Sequence, residues 1–151
     1  MRTSVLAWLF LLTATLAHAS AGMSCEAGDK TLKLSVEAGL SRGVGDGFFS
    51  FKGELETLAP GIPKDFRKVE FGKDHLTQRW LDNRNLKLRI YRERDGEPHG
   101  YVDLVIEAWP RKDSDDIEFR GGYVLTIFDI PKAGADGKTT VLKGRVTCSV
   151  G

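Results

Sequence analysis

The sequence carries little net charge, and this shortage excludes one broad class of function. Lysine and arginine number 22 against 21 aspartate and glutamate residues, which leaves a formal net charge of +1. Nucleic-acid-binding domains normally carry a marked basic excess, so the near-neutral balance argues against one. The 41% hydrophobic and 28% charged content is typical of a globular chain rather than a disordered one. A length of 151 residues fits a single domain.

Long apolar runs are also scarce, and the one that exists lies at the N-terminus. It has the three parts of a secretory signal, because Arg2 supplies a positive start and small residues follow the apolar stretch. The stretch covers residues 5–16 and is shorter than the roughly 18 residues that a membrane span needs. The sequence therefore predicts export without a membrane span.

The small residues after the apolar stretch indicate where the signal is cut. We expect cleavage after Ala19, with a cut after Ala21 as the alternative. Lipidation of Cys25 is not expected, because the residues before it lack the usual aliphatic side chain. We therefore predict a cleaved signal peptide over residues 1–19 and a single periplasmic or secreted β-domain over residues 20–151.

Cysteine is limited to two residues, Cys25 and Cys148, near the two ends of the mature chain. Disulfides form and persist in the oxidising compartments that exported proteins reach. An even count without a CxxC motif favours one structural bridge over a metal site. The alternative is a reactive thiol, which would need a neighbour that lowers its pKa. The sequence thus predicts a Cys25–Cys148 disulfide, with the Cys148 sulfur on the apolar face of its strand.

Alternation of polar and apolar residues dominates the mature chain and predicts half-buried strands. The alternating or apolar runs cover residues 31–37, 49–56, 66–71, 86–91, 101–109, 123–128 and 142–150. Turn signals separate these runs without a crossover helix, which predicts an all-β, antiparallel sandwich or barrel of about seven to eight strands.

Two segments of this pattern carry more specific expectations. Residues 123–128 are apolar on both faces except Thr126, which is typical of a central strand covered on both sides. Residues 74–82 fit either one short helix or an irregular strand, and a cap at Asp74 favours the helix.

Motifs with clear catalytic or metal chemistry are scarce. The glycines of residues 43–47 lead into a predicted strand, so they favour a hairpin loop over a phosphate cradle. The acidic residues 113–118 lack the glycine and ligand spacing of a calcium loop. His75 and His99 are too few and too far apart for a zinc site. We predict no metal and no cofactor, and a non-catalytic function is favoured over an enzyme of unrecognised type.

The hairpin of residues 86–91 and 101–109 combines opposite charges on its solvent face. Lys87 and Arg89 would face Asp103 and Glu107, and opposite charges across a ladder contribute roughly 0.2–1 kcal/mol each. The alternative is a basic stripe that binds an anionic surface.

Aromatic residues on the same hairpin are the candidate binding residues. Strand parity places Tyr91, Tyr101 and Trp109 on the polar side with Arg89, and aromatic residues near arginine are enriched at interfaces. Trp80 lies close by in sequence, in the ambiguous segment. The predicted binding set is Arg89, Tyr91, Tyr101 and Trp109, and the alternative is that a second sheet or a loop covers them.

The combination of signal, compact antiparallel body and terminal cysteine resembles that of small exported bacterial β-domains, including periplasmic lysozyme inhibitors. The resemblance is one of architecture, which does not fix function. We expect a non-catalytic β-domain that binds a protein or other macromolecule at the bacterial envelope. One alternative is a carrier of a small apolar ligand, in which Phe48, Phe49, Phe51 and Phe128 line a barrel. The other is an enzyme.

Overall fold

The computed structural model describes residues 21–41, 47–82, 84–111 and 117–151. These residues form nine β-strands and two 3₁₀ turns, at Lys64–Phe66 and Lys73–His75. The strands are β1 (Ala21–Gly28), β2 (Leu32–Leu40), β3 (Phe48–Thr57), β4 (Lys68–Phe71), β5 (Leu76–Leu81), β6 (Leu86–Glu93), β7 (Gly100–Pro110), β8 (Ile117–Asp129) and β9 (Lys138–Val150).

The strands form one antiparallel sheet that curls into a nearly closed barrel. Each strand pairs with its neighbour in the chain except at the step from β4 to β5, and β9 returns to pair with β1. The sheet order is therefore β4-β3-β2-β1-β9-β8-β7-β6-β5. The predicted all-β antiparallel class is confirmed, and of the two architectures left open the barrel is found.

The barrel is left open along a seam between β4 and β5, which follow one another in the chain. Because every paired neighbour is antiparallel and the strand number is odd, β4 and β5 run in the same direction. They resemble two halves of one interrupted strand, since β4 pairs with the C-terminal half of β3 and β5 with the N-terminal part of β6. The guanidinium of Arg92 spans the seam, and its Nη1 donates to the Glu70 carbonyl oxygen at 2.8 Å.

The short helix favoured over residues 74–82 is wrong for most of that segment. The helical part is a single 3₁₀ turn, Lys73–His75, and the strand β5 follows it at once. The turn is closed by the imidazole Nδ1 of His75, which accepts a hydrogen bond from the Gly72 amide at 2.8 Å. Pairing with β6 gives the next residues the backbone partners that a helix would otherwise supply, so tertiary pairing outweighs the local pattern.

The interior is filled by one face of the alternating strands. Its fully buried large side chains include Phe119, Tyr123, Leu86, Leu104 and Ile106. The expectation that residues 123–128 are covered on both sides is wrong, because Val124 lies on the outer face and is exposed. A barrel has a single wall, so the outer face of its strands meets solvent.

The two cysteines form the predicted disulfide. Cys25 in β1 lies directly opposite Cys148 in β9, with an S–S distance of 2.09 Å, and both side chains are buried. The ladder between β1 and β9 contains only four residue pairs, from Met23 with Val150 to Glu26 with Thr147. The disulfide therefore reinforces a short ladder that joins the first strand to the last.

Arg94 closes one end of the barrel with a network of polar contacts. Its Nη2 lies 2.6 Å from Asp129 Oδ1 and its Nε lies 2.7 Å from Asp65 Oδ2. Its Nη1 donates to the Pro98 carbonyl oxygen at 2.8 Å, and the guanidinium lies 4.8 Å from the centre of the Phe66 ring. One side chain thus ties together the loop before β4, the β6–β7 turn and the end of β8.

A second polar network fixes the turn between β1 and β2. The Tyr123 hydroxyl donates to Asp29 Oδ2 at 2.6 Å, and the Thr31 hydroxyl donates to Asp29 Oδ1 at 2.6 Å. Hydrogen bonds from Thr31 and Tyr123 hold the pKa of Asp29 well below its usual range. Burial, together with Asp29, raises the pKa of Tyr123 to about 12. Gly144 makes this contact possible, because a Cβ there would lie 2.6 Å from the Tyr123 hydroxyl oxygen.

Candidate functional site

The outer surface of the barrel has two chemically different sides. The outer face of β1–β4, called the polar wall, carries cross-strand ion pairs: Lys33–Glu56 at 3.5 Å, Lys52–Glu37 at 3.0 Å and Lys68–Glu56 at 3.5 Å. The outer face of β5–β9, called the aromatic wall, carries Trp80, Tyr91, Tyr101, Val105, Trp109, Val124, Phe128 and Val141. The exposed aromatic side chain of the polar wall is Phe49 at its rim, whose ring lies against Gly39.

The four predicted binding residues all lie on the aromatic wall, but the structure divides them. Tyr91 and Tyr101 contact each other, with ring centres 5.4 Å apart, near the closed end of the barrel. Trp109 lies toward the opposite end of β7, where its side chain is 51% exposed. Arg89 lies between these two groups and is paired with Asp103.

Tyr91 and Tyr101 belong to a stacked aromatic cluster. Tyr101 stacks on Phe128 with ring centres 5.4 Å apart, and the His99 ring lies 5.9 Å from Tyr101. The Tyr91 hydroxyl donates to Glu93 Oε1 at 2.7 Å. Burial, reinforced by Glu93, raises the pKa of Tyr91 to about 12. These rings are half-buried against one another. They therefore contribute to the rigidity of the wall and are less accessible to a binding partner than fully exposed rings.

Trp80 and Trp109 are the most exposed aromatic side chains of the wall. Trp80 is 58% exposed, and its Nε1–H donates to Asp82 Oδ2 at 3.2 Å. Asp82 is itself fixed, since it accepts backbone hydrogen bonds from Arg84 at 2.6 Å and Asn85 at 2.9 Å, which lower its pKa. The indole of Trp80 is thereby oriented by its polar edge while its ring remains accessible.

The strands between the two tryptophans carry the predicted charge ladder. Lys87 Nζ lies 3.2 Å from Glu107 Oε1 in directly opposed positions. Arg89 binds Asp103 with both arms of its guanidinium, at 3.0 and 2.8 Å, and this hydrogen bonding raises the pKa of Arg89. The ladder is confirmed.

Two further arginines of the alternative basic stripe, Arg92 and Arg94, make contacts within the protein. Arg92 donates to a backbone carbonyl across the seam, and Arg94 is held by two carboxylates at the closed end. Lys87, Arg89 and Arg94 are thus each paired with a carboxylate, whereas Arg92 keeps its positive charge beside a neutral carbonyl.

A shallow groove runs over this ladder beside Trp80. Its lining includes Gln78, Trp80, Lys87, Arg89, Asp103 and Glu107. Trp80 is absent from the predicted binding set, because strand parity within the β6–β7 hairpin does not extend to the ambiguous segment that contains it. The pairing of Trp80 with Lys87 in the β5–β6 ladder is what brings it onto the same face as Trp109.

The residues of the carrier hypothesis do not share one surface. Phe51 is buried in the interior, whereas Phe49 and Phe128 lie on the outer face. Phe48 is partly buried against the core.

The residues considered for catalysis or metal binding are also dispersed. His75 closes the turn after Gly72, while His99 lies against the aromatic cluster. Over the described ranges, no group of three or more histidine, cysteine or acidic side chains is arranged to hold a metal ion. The predicted glycine loop and acidic turn fall largely outside the described residues, at positions 42–46 and 112–116.

Comparisons with protein-family profiles, curated protein sequences and solved structures found no match. In the part of the chain that the structure describes, no helix is long and apolar enough to cross a membrane. The functional proposal therefore rests on the geometry of the barrel.

Proposed function

We propose that the protein is an exported, non-catalytic β-barrel domain that binds a macromolecule of the bacterial envelope through its aromatic wall. The observation that carries the proposal is that the aromatic wall exposes more large apolar side chains than the polar wall does. Large contiguous apolar patches are uncommon on monomeric soluble proteins and are frequently interaction sites. Here the exposed side chains of Trp80, Trp109, Val124 and Val141 all lie on the outer face of β5–β9, where ion pairs such as Lys87–Glu107 are interspersed among them.

The residue types of the aromatic wall support a recognition role. Tryptophan, tyrosine and arginine are enriched among the residues that contribute most to binding energy. Trp80 and Trp109 leave more than half of their surface accessible in the free protein. Arg89 is held in a fixed orientation by its two hydrogen bonds to Asp103.

The rigidity of the barrel supports the same role. Recognition by a preformed surface avoids much of the ordering cost of binding. The disulfide, the Arg94 network and the stacked rings of Tyr101 and Phe128 all restrict movement of the strands that display the wall.

The proposed location follows from the N-terminal segment and the cysteines. The predicted signal peptide directs export, and a Cys25–Cys148 disulfide is compatible with an oxidising compartment.

Affinity capture from an envelope fraction tests the proposal. The mature protein would be immobilised alongside Trp109→Ala and a control, Phe49→Ala, which removes an exposed aromatic ring from the polar wall. We expect the parent and the control to retain the same envelope component and Trp109→Ala to lose it. Equal retention by all three proteins would contradict the assignment of the binding face.

A further inference from the structure

We infer that the macromolecule recognised by the aromatic wall is a neutral polysaccharide chain that lies across Trp80 and Trp109. This inference rests on the proposed function and specifies its partner. It follows from the accessible surfaces of the two indoles, from their spacing, and from the paired charges between them.

More than half of Trp80 is exposed to solvent. Its polar N–H is already bonded to Asp82, so the surface left for a partner is apolar and planar. The C–H faces of pyranose rings stack on such surfaces. Trp109, half-exposed on β7, offers a second indole on the same outer face.

The spacing of the two indoles suits an extended chain. Trp80 lies opposite Lys87, Lys87 lies opposite Glu107, and Trp109 is two residues further along β7. Two inter-strand steps and two residues along a strand place the Cα atoms about 12 Å apart. A few consecutive sugar rings span this distance, so one chain can contact both indoles.

The ion pairs between Trp80 and Trp109 favour a neutral sugar chain over an anionic polymer or a protein as the partner. The Lys87–Glu107 and Arg89–Asp103 pairs are each neutral, so these four side chains offer no net attraction for an anionic polymer. A protein would have to cover these pairs, yet protein interface cores are depleted in lysine, glutamate and aspartate, and desolvating ion pairs is costly. Sugar hydroxyls both donate and accept hydrogen bonds, so they can replace the water around these four groups.

The mature chain contains a built-in reporter for this site. Of the three tryptophans, Trp8 lies in the predicted signal peptide, so Trp80 and Trp109 provide the tryptophan fluorescence of the mature protein. A ligand that stacks on them changes the emission directly.

The experiment titrates the mature protein with three neutral hexasaccharides, namely cellohexaose, chitohexaose and maltohexaose, and with dextran sulfate as an anionic comparison. We expect a saturable change in emission with at least one neutral hexasaccharide and none with dextran sulfate. Calorimetric titration of Trp80→Ala and Trp109→Ala should show affinity reduced about tenfold or more, as for other binding anchors. Trp109→Phe should retain more affinity than Trp109→Ala, and Phe49→Ala should bind like the parent.

The outcomes separate this inference from the proposed function. If no neutral hexasaccharide binds at millimolar concentration, or only dextran sulfate binds, the polysaccharide is excluded. The same holds if both alanine variants bind like the parent. If sugars fail but Trp109→Ala still loses a captured envelope component, the binding wall stands and its partner is of another class. If the sugars fail and the capture is unaffected, both proposals fall.

Discussion

Removal of the Cys25–Cys148 disulfide should cost much of the stability of the domain. The bridge spans 123 residues, and the chain-entropy model assigns about 5 kcal/mol at 25 °C to closure of such a loop. The described chain from residue 21 to residue 151 has an unfolding entropy of about 0.28 kcal/mol per kelvin, by the average value per residue. The double variant Cys25→Ala/Cys148→Ala should therefore melt about 15–20 °C below the parent.

A neighbouring residue pair provides a matched control for this prediction. Ser24 and Ser149 are cross-strand partners in the same ladder, with hydroxyl oxygens 2.8 Å apart on the outer face. The variant Ser24→Ala/Ser149→Ala should lose at most about 1 kcal/mol. Differential scanning calorimetry and urea denaturation would measure all three proteins. A loss below about 1 kcal/mol in the cysteine variant would refute the view that this bridge secures the barrel.

Three further predictions concern the polar networks and the exposed wall. Arg94→Leu should lower the free energy of unfolding by about 2 kcal/mol. This loss is smaller than for a fully buried ion pair, because solvent reaches the two carboxylate partners of Arg94. Chemical denaturation measures the loss, and an unchanged denaturation midpoint would argue against the network. Tyr123→Phe should cost about 1–2 kcal/mol at pH 7 through its lost hydrogen bond to Asp29. The pKa of Tyr123 is raised from 10 to about 12 in the folded protein, so the stabilisation from its hydroxyl is complete below pH 10 and is lost toward pH 12. The free energies of unfolding of parent and variant, measured by urea titration, should therefore converge near pH 12. Trp109→Ala should change stability by no more than about 0.5 kcal/mol, and a protein that melts far below the parent would place this side chain in the core.

Several strands and the disulfide could be predicted from the sequence because their signals are local or have few alternatives. Period-two alternation fixes which residues of β6 and β7 face inward, and this also placed Arg89, Tyr91, Tyr101 and Trp109 on the outer face. Two cysteines leave one possible intramolecular pairing, so Cys25–Cys148 needed no knowledge of the fold.

The seam and the tryptophan pair could not be predicted, because they depend on long-range pairing. The segment of β5 fits a helical turn as well as a strand, since Leu76 and Trp80 are four residues apart. Only the ladder with β6 decides between the two and sets Trp80 opposite Lys87. The sequence does not place Val124 correctly for a related reason, because an apolar residue on an exposed wall has the same sequence pattern as one under a second sheet.

Acrylamide quenching of tryptophan fluorescence tests most directly whether the aromatic wall is the surface that meets the partner. The mature protein would be measured free and bound to fragments of its own cell envelope. With Trp80 and Trp109 on the contact surface, quenching should be strong in the free protein and should fall markedly on binding. Envelope-bound protein whose tryptophans remain as accessible to acrylamide as in free solution would contradict the account.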